Sequence, residues 1–418
     1  MARIRKQLRP DRLAGLRVLV LNHNLREHGT YFRAWKTATI LARRGARVTF
    51  ATTSPERWYR SSVRTVEGIT VHEMPNWSPL HHPDEGWGPL SLAARLRLAA
   101  GTRWDLVYCF SHRPVDQLPA RLARRLHGAL WLCDWCDLYG EEGINAMIRQ
   151  RRGQPITWQD FLRDAADRLD DRLERAAARS CDLLTVISTD LAARAARLGR
   201  NPRATHMMVS GADLDAIQPL DRAACRQELG LPSGRLYLGY IANYHPDERL
   251  LLDALVRVFR ERPDIDLVVA GPGFYGGEEA LQSRGIADRI HSFGRVPFAH
   301  IATHLGAADI LLVPMTDSPF NRSRWPNKIG DYLAAGRPLV ACRVGDVGPF
   351  LDKYPVGEGS APESEDFACA ILKLAARESE LAELGRQARS VAEAAFDWDG
   401  IVDRLLARAA RQRRRNSR

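Results

Sequence analysis

The chain has 418 residues, 45% of them hydrophobic, and a formal charge of +11; that length predicts two or three domains. The excess charge lies at the ends, because residues 1–17 carry +5 and residues 404–418 carry +7, which leaves the stretch between them near −1. A neutral body argues against nucleic acid as a partner and leaves the ends as solvated tails or as contacts to an anionic membrane surface. From the N-terminus, Arg17–Asn22 reads as a strand, Thr30–Arg44 as a helix stopped by Gly45, and Arg47–Ala51, Asp105–Cys109, Ala129–Cys133 and Leu183–Ile187 as further strands. Strands alternating with helical patterns predict a parallel sheet wrapped by helices. Residues 74–90, rich in Pro, Trp and His, read as a surface loop. Residues 138–180 read as an insertion ending in an Arg/Asp-rich helix from about Trp158, its charge run taken as a solvated face.

A second alternating cycle follows residues 212–220. Its strands are Leu236–Ala242, Asp266–Ala270, Ile290–Phe293, Asp309–Pro314 and Leu339–Cys342, and Asp397-Trp398-Asp399 opens a last amphipathic helix. The most telling block runs from that fourth strand through an arginine-bearing loop, with Arg322 and Arg324, into a short helix opened by Pro326 and closed by Gly336 and Pro338. Lys328 and Asp331 lie three residues apart and share one helical face. Lys328 is one of only five lysines among 61 basic residues, so composition alone does not put a lysine there. A cation that meets a phosphate beside a carboxylate that accepts sugar hydroxyls suits a nucleotide-sugar, and a helix start after a parallel strand favours anions.

No apolar run approaches the ~18 residues of a membrane span. No cleavage site follows the basic start, so the expected location is cytoplasmic, with peripheral attachment to the inner face of the membrane as an extension of that reading. Seven scattered cysteines give no disulfide framework, and Cys133 with Cys136 lacks the second pair that a metal site needs.

The order of several motifs resembles the retaining glycosyltransferases of the GT-B fold, specifically the large family four. They are Gly29-Thr30-Tyr31-Phe32-Arg33 before a helix, Leu184-Thr185-Val186-Ile187-Ser188, Ser210-Gly211-Ala212-Asp213, Val268-Val269-Ala270-Gly271-Pro272-Gly273, Phe293-Gly294-Arg295-Val296-Pro297 and the Pro314–Pro338 block. The resemblance implies an α/β architecture of two Rossmann-like, doubly wound domains facing each other across a cleft. In that scheme residues 1–214 bind the acceptor, 215–395 bind the donor, and 396–418 form a C-terminal amphipathic helix and basic tail.

The same resemblance implies site residues. Gly271 and Gly273 let the backbone approach the donor, and Gly294, Arg295 and Val296 line the nucleobase. Asp331 matches the second carboxylate of a paired-glutamate motif that binds the donor ribose. Three departures stand out. Position 323, eight before Asp331, is a serine, which leaves Ser323 or Asp317 in the place of the first glutamate. Asn243 stands where the family commonly has a phosphate-gripping arginine, and Glu248-Arg249 straddle a lysine position, so Arg249, Arg322, Arg324 and Lys328 are expected to share that task. The N-terminal loop has a single glycine, Gly29, where the family often has two.

On the acceptor side Asp134 and Asp137 follow one buried strand and His112 follows another; Asp137 and His112 are the polar catalytic-site candidates, with Gly29, Arg33 and His28 near the acceptor. The expected function is retaining, metal-independent transfer of a hexose-like sugar from a nucleotide-diphosphate donor to a cell-envelope, lipid or metabolite acceptor. Lys328 and the helix start stabilise the leaving diphosphate in this scheme, and neither a cofactor nor a metal is required. The alternatives are a GT-B-shaped nucleotide-sugar epimerase and a catalytically weak, partner-binding relative.

Overall fold

The computed structural model describes residues 13–415 except 57, 78–85, 141, 153–157 and 243–246. Two compact units emerge, Met1–Val209 together with Trp398–Arg418, and Ser210–Asp397. In the first, β1 (Arg17–Leu25), β2 (Arg47–Thr53), β3 (Ser62–Val66), β4 (Ile69–Met74), β5 (Leu106–Cys109), β6 (Leu130–Trp135), β7 (Leu183–Val186) and β8 (Thr205–Met207) form one sheet. The order is β3-β4-β2-β1-β5-β6-β7-β8, and only β3–β4 pair antiparallel. Val18 to Leu21 of β1 are all buried, as expected of a central strand covered by helices on both faces.

The ribbon β3–β4 was not predicted. Its signal is the Glu67-Gly68 pair, both at positive φ (50° and 76°), which makes a two-residue hairpin between short strands, one of them largely exposed. The chain also returns to this unit at its end. Trp398, Ile401, Val402, Leu405, Leu406 and Ala409 form one apolar stripe of the terminal helix Trp398–Arg415 and join the core of Leu13, Tyr31, Ala38 and Leu41. Asp399 pairs with Arg43 and Arg44 at 2.6 and 3.0 Å and so ties that helix to helix Tyr31–Arg43.

The second unit holds β9 (Leu236–Ile241), β10 (Ile265–Ala270), β11 (Ile290–Ser292), β12 (Ile310–Val313), β13 (Leu339–Cys342) and β14 (Gly357–Ser360), in the order β11-β10-β9-β12-β13-β14 and parallel throughout. The strand β14 has almost no apolar signal. It pairs because Gly357 allows close approach: a Cβ there would stand 1.8 Å from the Leu339 carbonyl oxygen. Strand order reverses direction between β1 and β5 in one unit and between β9 and β12 in the other. Crossover helices diverge to opposite faces at such switch points and leave a crevice at the carboxyl ends of the strands, where ligands bind.

Candidate functional sites

In the second unit the crevice is built around helix Lys328–Ala334. Trp325 anchors the approach to it, its ring 5.3 Å from Phe350 and 5.9 Å from Phe396. Ile329, Tyr332 and Leu333 are buried, while Lys328 and Asp331 remain half-buried on the other face. The Tyr332 hydroxyl accepts from the Ile241 amide at 3.0 Å and lies 3.4 Å from the Leu312 carbonyl, so it joins the ends of β9 and β12. Lys328 Nζ stands 4.3 Å from the centroid of the Tyr240 ring, which stacks on Phe274 of the glycine loop after β10 at 6.3 Å.

Among the described residues Lys328 makes no hydrogen bond or ion pair, and the Asp331 carboxylate makes none either. Burial, reinforced by the Arg324 cation and opposed by Asp247, brings the Lys328 pKa down to about 7. Burial and the Asp213 carboxylate push Asp331 up to about 7. A desolvated cation and a desolvated carboxylate, neither with a hydrogen-bonding or ion-pair partner among the described residues, mark a place suited to polar atoms from outside. A Cβ added to Gly273 or Gly294 would meet no atom within 4 Å, so the space above both is open. The Gly271 amide donates to the Gly294 carbonyl at 2.7 Å and links the loops after β10 and β11.

Other donor-side candidates are placed differently. Arg322 and Asp317 form an exposed pair, 2.5 and 2.7 Å between their heads, so each already faces an opposite charge. Ser323 is fully buried and donates to the Pro319 carbonyl at 2.6 Å, so its side chain is not open to a ligand. The Arg249 side chain is 90% exposed and lies 3.6 Å from Asp253, on the outside of helix Glu248–Glu261. Arg295 is exposed and Val296 half-buried after β11. Asn243 lies outside the described residues.

Arg324 remains beside Lys328. It bonds Asn321 at 2.8 Å, approaches Asp247 at 3.3 Å and sits 4.7 Å above the Phe320 ring. The residues that sequence reasoning missed here are Tyr240, Phe274, Tyr332, Asp213 and Asp247. Tyr332 directly follows Asp331, but nothing local in the sequence signals its bond to another strand.

In the first unit, the turn at Gly29 has φ +53°, and a Cβ there would stand 2.8 Å from the Asn24 amide nitrogen. Asn24 in turn accepts from the Thr30 amide at 3.1 Å, which explains the glycine. His28 is exposed, its ring 2.9 Å from the Arg26 carbonyl. Arg33 and Asp134 correct an expectation. Rather than facing an acceptor, they form a buried two-point ion pair at 2.8 and 3.0 Å, to which Thr185 donates at 2.5 Å, and Arg33 also donates to the Met208 carbonyl. The pair fixes helix Tyr31–Arg43 to the ends of β6 and β7.

The loop after β5 carries Ser111, His112 and Arg113. Asp170, from helix Trp158–Ser180, lies 2.8 Å from His112 Nε2 and 3.0 Å from Arg113 and accepts from Asn145 at 3.2 Å. Burial opposes its charge, but His112 and Arg113 hold its pKa at about 2. Four residues on, Glu174 accepts from the amides of Tyr139 and Gly140 at 2.9 and 3.2 Å and from the Trp135 indole at 2.8 Å, pinning the loop after β6. The charge run of this helix is therefore not wholly a solvated face, because Asp170 and Glu174 are both buried. Asp137 lies half-buried in the loop that Glu174 holds. At the end of β1, His23 is kept neutral by burial and by Arg113, 3.8 Å from an Asp116 that is itself paired with Arg95 at 2.9 Å.

Set beside known proteins, these two sheets, each with a switch point, are those of a sugar-transferring enzyme. A family model described as Glycosyl transferases group 1 matches residues 235–377, and one described as Glycosyl transferase 4-like domain matches residues 29–211. The D-inositol 3-phosphate glycosyltransferase of Segniliparus rotundus is 26% identical over 396 residues, which cover 89% of this chain and 82% of that protein. In fold, the sucrose-phosphate synthase of Thermosynechococcus elongatus is similar with a TM-score of 0.71 and 18% identity, over 93% of this chain and 96% of that one. Anabaena HepE in complex with UDP-glucose is similar with a TM-score of 0.67 and 16% identity, over 94% and 98%. The chain belongs to the group 1 glycosyltransferases with a 4-like N-terminal module, and its fold class is GT-B.

Proposed function

We propose that the protein transfers a hexose-like sugar, with retention and without a metal, from a UDP- or GDP-type donor held by the second unit to a hydroxyl acceptor held by the first. The observation that carries this reading is the pair Lys328 and Asp331 at the β9/β12 switch point, whose charged groups have no hydrogen bond or ion pair among the described residues. Lys328, with Arg324 beside it, takes the diphosphate; Asp331 accepts hydrogen bonds from the ribose hydroxyls; the open space over Gly273 and Gly294 takes the base and sugar. As the bond from the anomeric carbon to phosphate breaks, charge grows on the departing diphosphate, and the two cations stabilise it. The acceptor oxygen bonds the same face of the carbon and its proton passes to the leaving phosphate oxygen, so no protein base is required.

His112 and Asp137, held by Asp170 and Glu174, line the acceptor side in this scheme. A hydroxyl-rich small molecule is the first acceptor to test, because the relative above is named for D-inositol 3-phosphate. UDP-glucose is the first donor, being bound in HepE. Lipid and cell-envelope glycan acceptors complete the panel, and the basic ends extend the reading to an anionic membrane surface. Calorimetry with UDP- and GDP-sugars, followed by product analysis, tests it. Binding of one donor and transfer of its sugar with unchanged anomeric configuration is the expected result. No binding of any donor contradicts the reading, and a converted donor sugar without transfer identifies an epimerase instead.

A further inference from the structure

Asp247 stands at the N-cap of helix Glu248–Glu261, yet its side chain makes no cap bond there. It is 4% exposed and reaches instead to the loop after β12. One carboxylate oxygen accepts from the Thr316 amide at 3.0 Å, the Thr316 hydroxyl at 2.6 Å and Asn321 Nδ2 at 3.0 Å; the other lies 3.3 Å from Arg324. Asn321, held in this way, presents its own oxygen to Arg324 Nε at 2.8 Å. A buried carboxylate from the β9 side of the crevice thus fixes the arginine on the β12 side.

We infer that Asp247 is a positioning residue that holds Arg324 beside Lys328, so that the two cations form a clamp for the diphosphate of the donor. Two like charges repel, and Arg324 does depress the ionisation of Lys328 whereas Asp247 supports it. A fixed anion behind them offsets part of that repulsion and holds the guanidinium in place before a ligand arrives. The arrangement also bears on the sequence departures: with Arg249 exposed, Arg324 is the cation found beside Lys328 among the described residues, and its partners Asn321 and Asp247 hold it there. This inference rests on the donor-site reading proposed above.

The test is the affinity of the full chain for UDP and GDP, measured by calorimetry for the wild type, Asp247→Asn, Arg324→Gln and the double variant. Asparagine keeps the oxygen that accepts from Thr316 but turns an amide toward the guanidinium. Loss of one charge-assisted contact weakens the affinity by about tenfold in each single variant, and the double variant is no weaker than Arg324→Gln alone. That non-additivity separates positioning from a general loosening of the loop, which would add to the Arg324 effect. Equal affinities for wild type and Asp247→Asn, or additive losses, overturn the inference while leaving the donor site intact. Absence of nucleotide binding in the wild type overturns the donor-site reading itself. If Asp247→Asn does not fold, Arg324→Gln alone decides: unchanged affinity refutes the clamp.

Discussion

At the scale of single residues, the donor site is marked by charges held at a cost. Lys328 has a folded-state pKa near 7, against about 10.4 in an unfolded chain. Below pH 7 both states carry the proton, so the desolvation penalty is fully present; between about pH 7 and 10.4 the unfolded state binds more protons and stability from this group rises with pH. Lys328→Met should therefore raise the melting temperature at pH 6 by a few degrees, roughly the scale of one removed buried charge, with the gain fading toward pH 10. A melting series across that range checks it, and a variant less stable at pH 6 contradicts it. Ligand binding should reverse the shift. At pH 8 most Lys328 is neutral, and an arriving diphosphate restores its proton, so binding takes up close to one proton, seen as an enthalpy that varies with the buffer. Lys328→Met should lose that dependence.

Single residues also show where sequence reading reached its limit. Lys328 and Asp331 were legible because helical spacing alone puts them on one face. Arg322, Arg249 and Asp317 have the right charges in nearly the right places, but direction decides: two of them neutralise each other and the third lies on an outer helix face. Asp247 was invisible for the opposite reason, since its partners at 316, 321 and 324 are some 70 residues away.

At the scale of elements, the buried pair of Arg33 and Asp134 and the two carboxylates of helix Trp158–Ser180 hold the acceptor-side loops. Truncating one partner leaves an uncompensated buried charge, so Arg33→Ala should cost about 3–5 kcal/mol in a denaturant titration, with nucleotide affinity little changed in the folded fraction. Asp170→Asn and Glu174→Gln should lower turnover at saturating donor while leaving the affinity for UDP or GDP unchanged, because they act on the loops carrying His112 and Asp137. A matching loss of nucleotide affinity would show that these carboxylates serve the donor side. Their burial was not legible from the helix itself, whose Arg/Asp pattern reads as solvent-facing until the loops after β5 and β6 are laid against it.

At the scale of the whole chain, the alternation of apolar runs and helices announced both parallel sheets, since buried central strands such as β1 and β12 are near-continuous apolar runs. The edges were harder: β3, β8 and β14 are short, partly exposed and weakly apolar, and their pairing is set by neighbours. The last helix was recognised but not its partner. Its stripe from Trp398 to Ala409 belongs to the core of the first unit, so a chain ending at 397 should expose that core and aggregate, which light scattering of the purified truncation would reveal. Among the described residues no helix is long and apolar enough to cross a membrane.

The account depends most on Lys328 and Asp331 receiving a nucleotide diphosphate. Titrating UDP and GDP into wild type, Lys328→Met, Asp331→Asn and Arg249→Ala by calorimetry tests this directly. The expected result is binding of one nucleotide by the wild type and by Arg249→Ala, with affinity reduced at least tenfold in the other two. Undiminished binding by Lys328→Met and Asp331→Asn, or a loss confined to Arg249→Ala, would place the donor elsewhere and contradict the account.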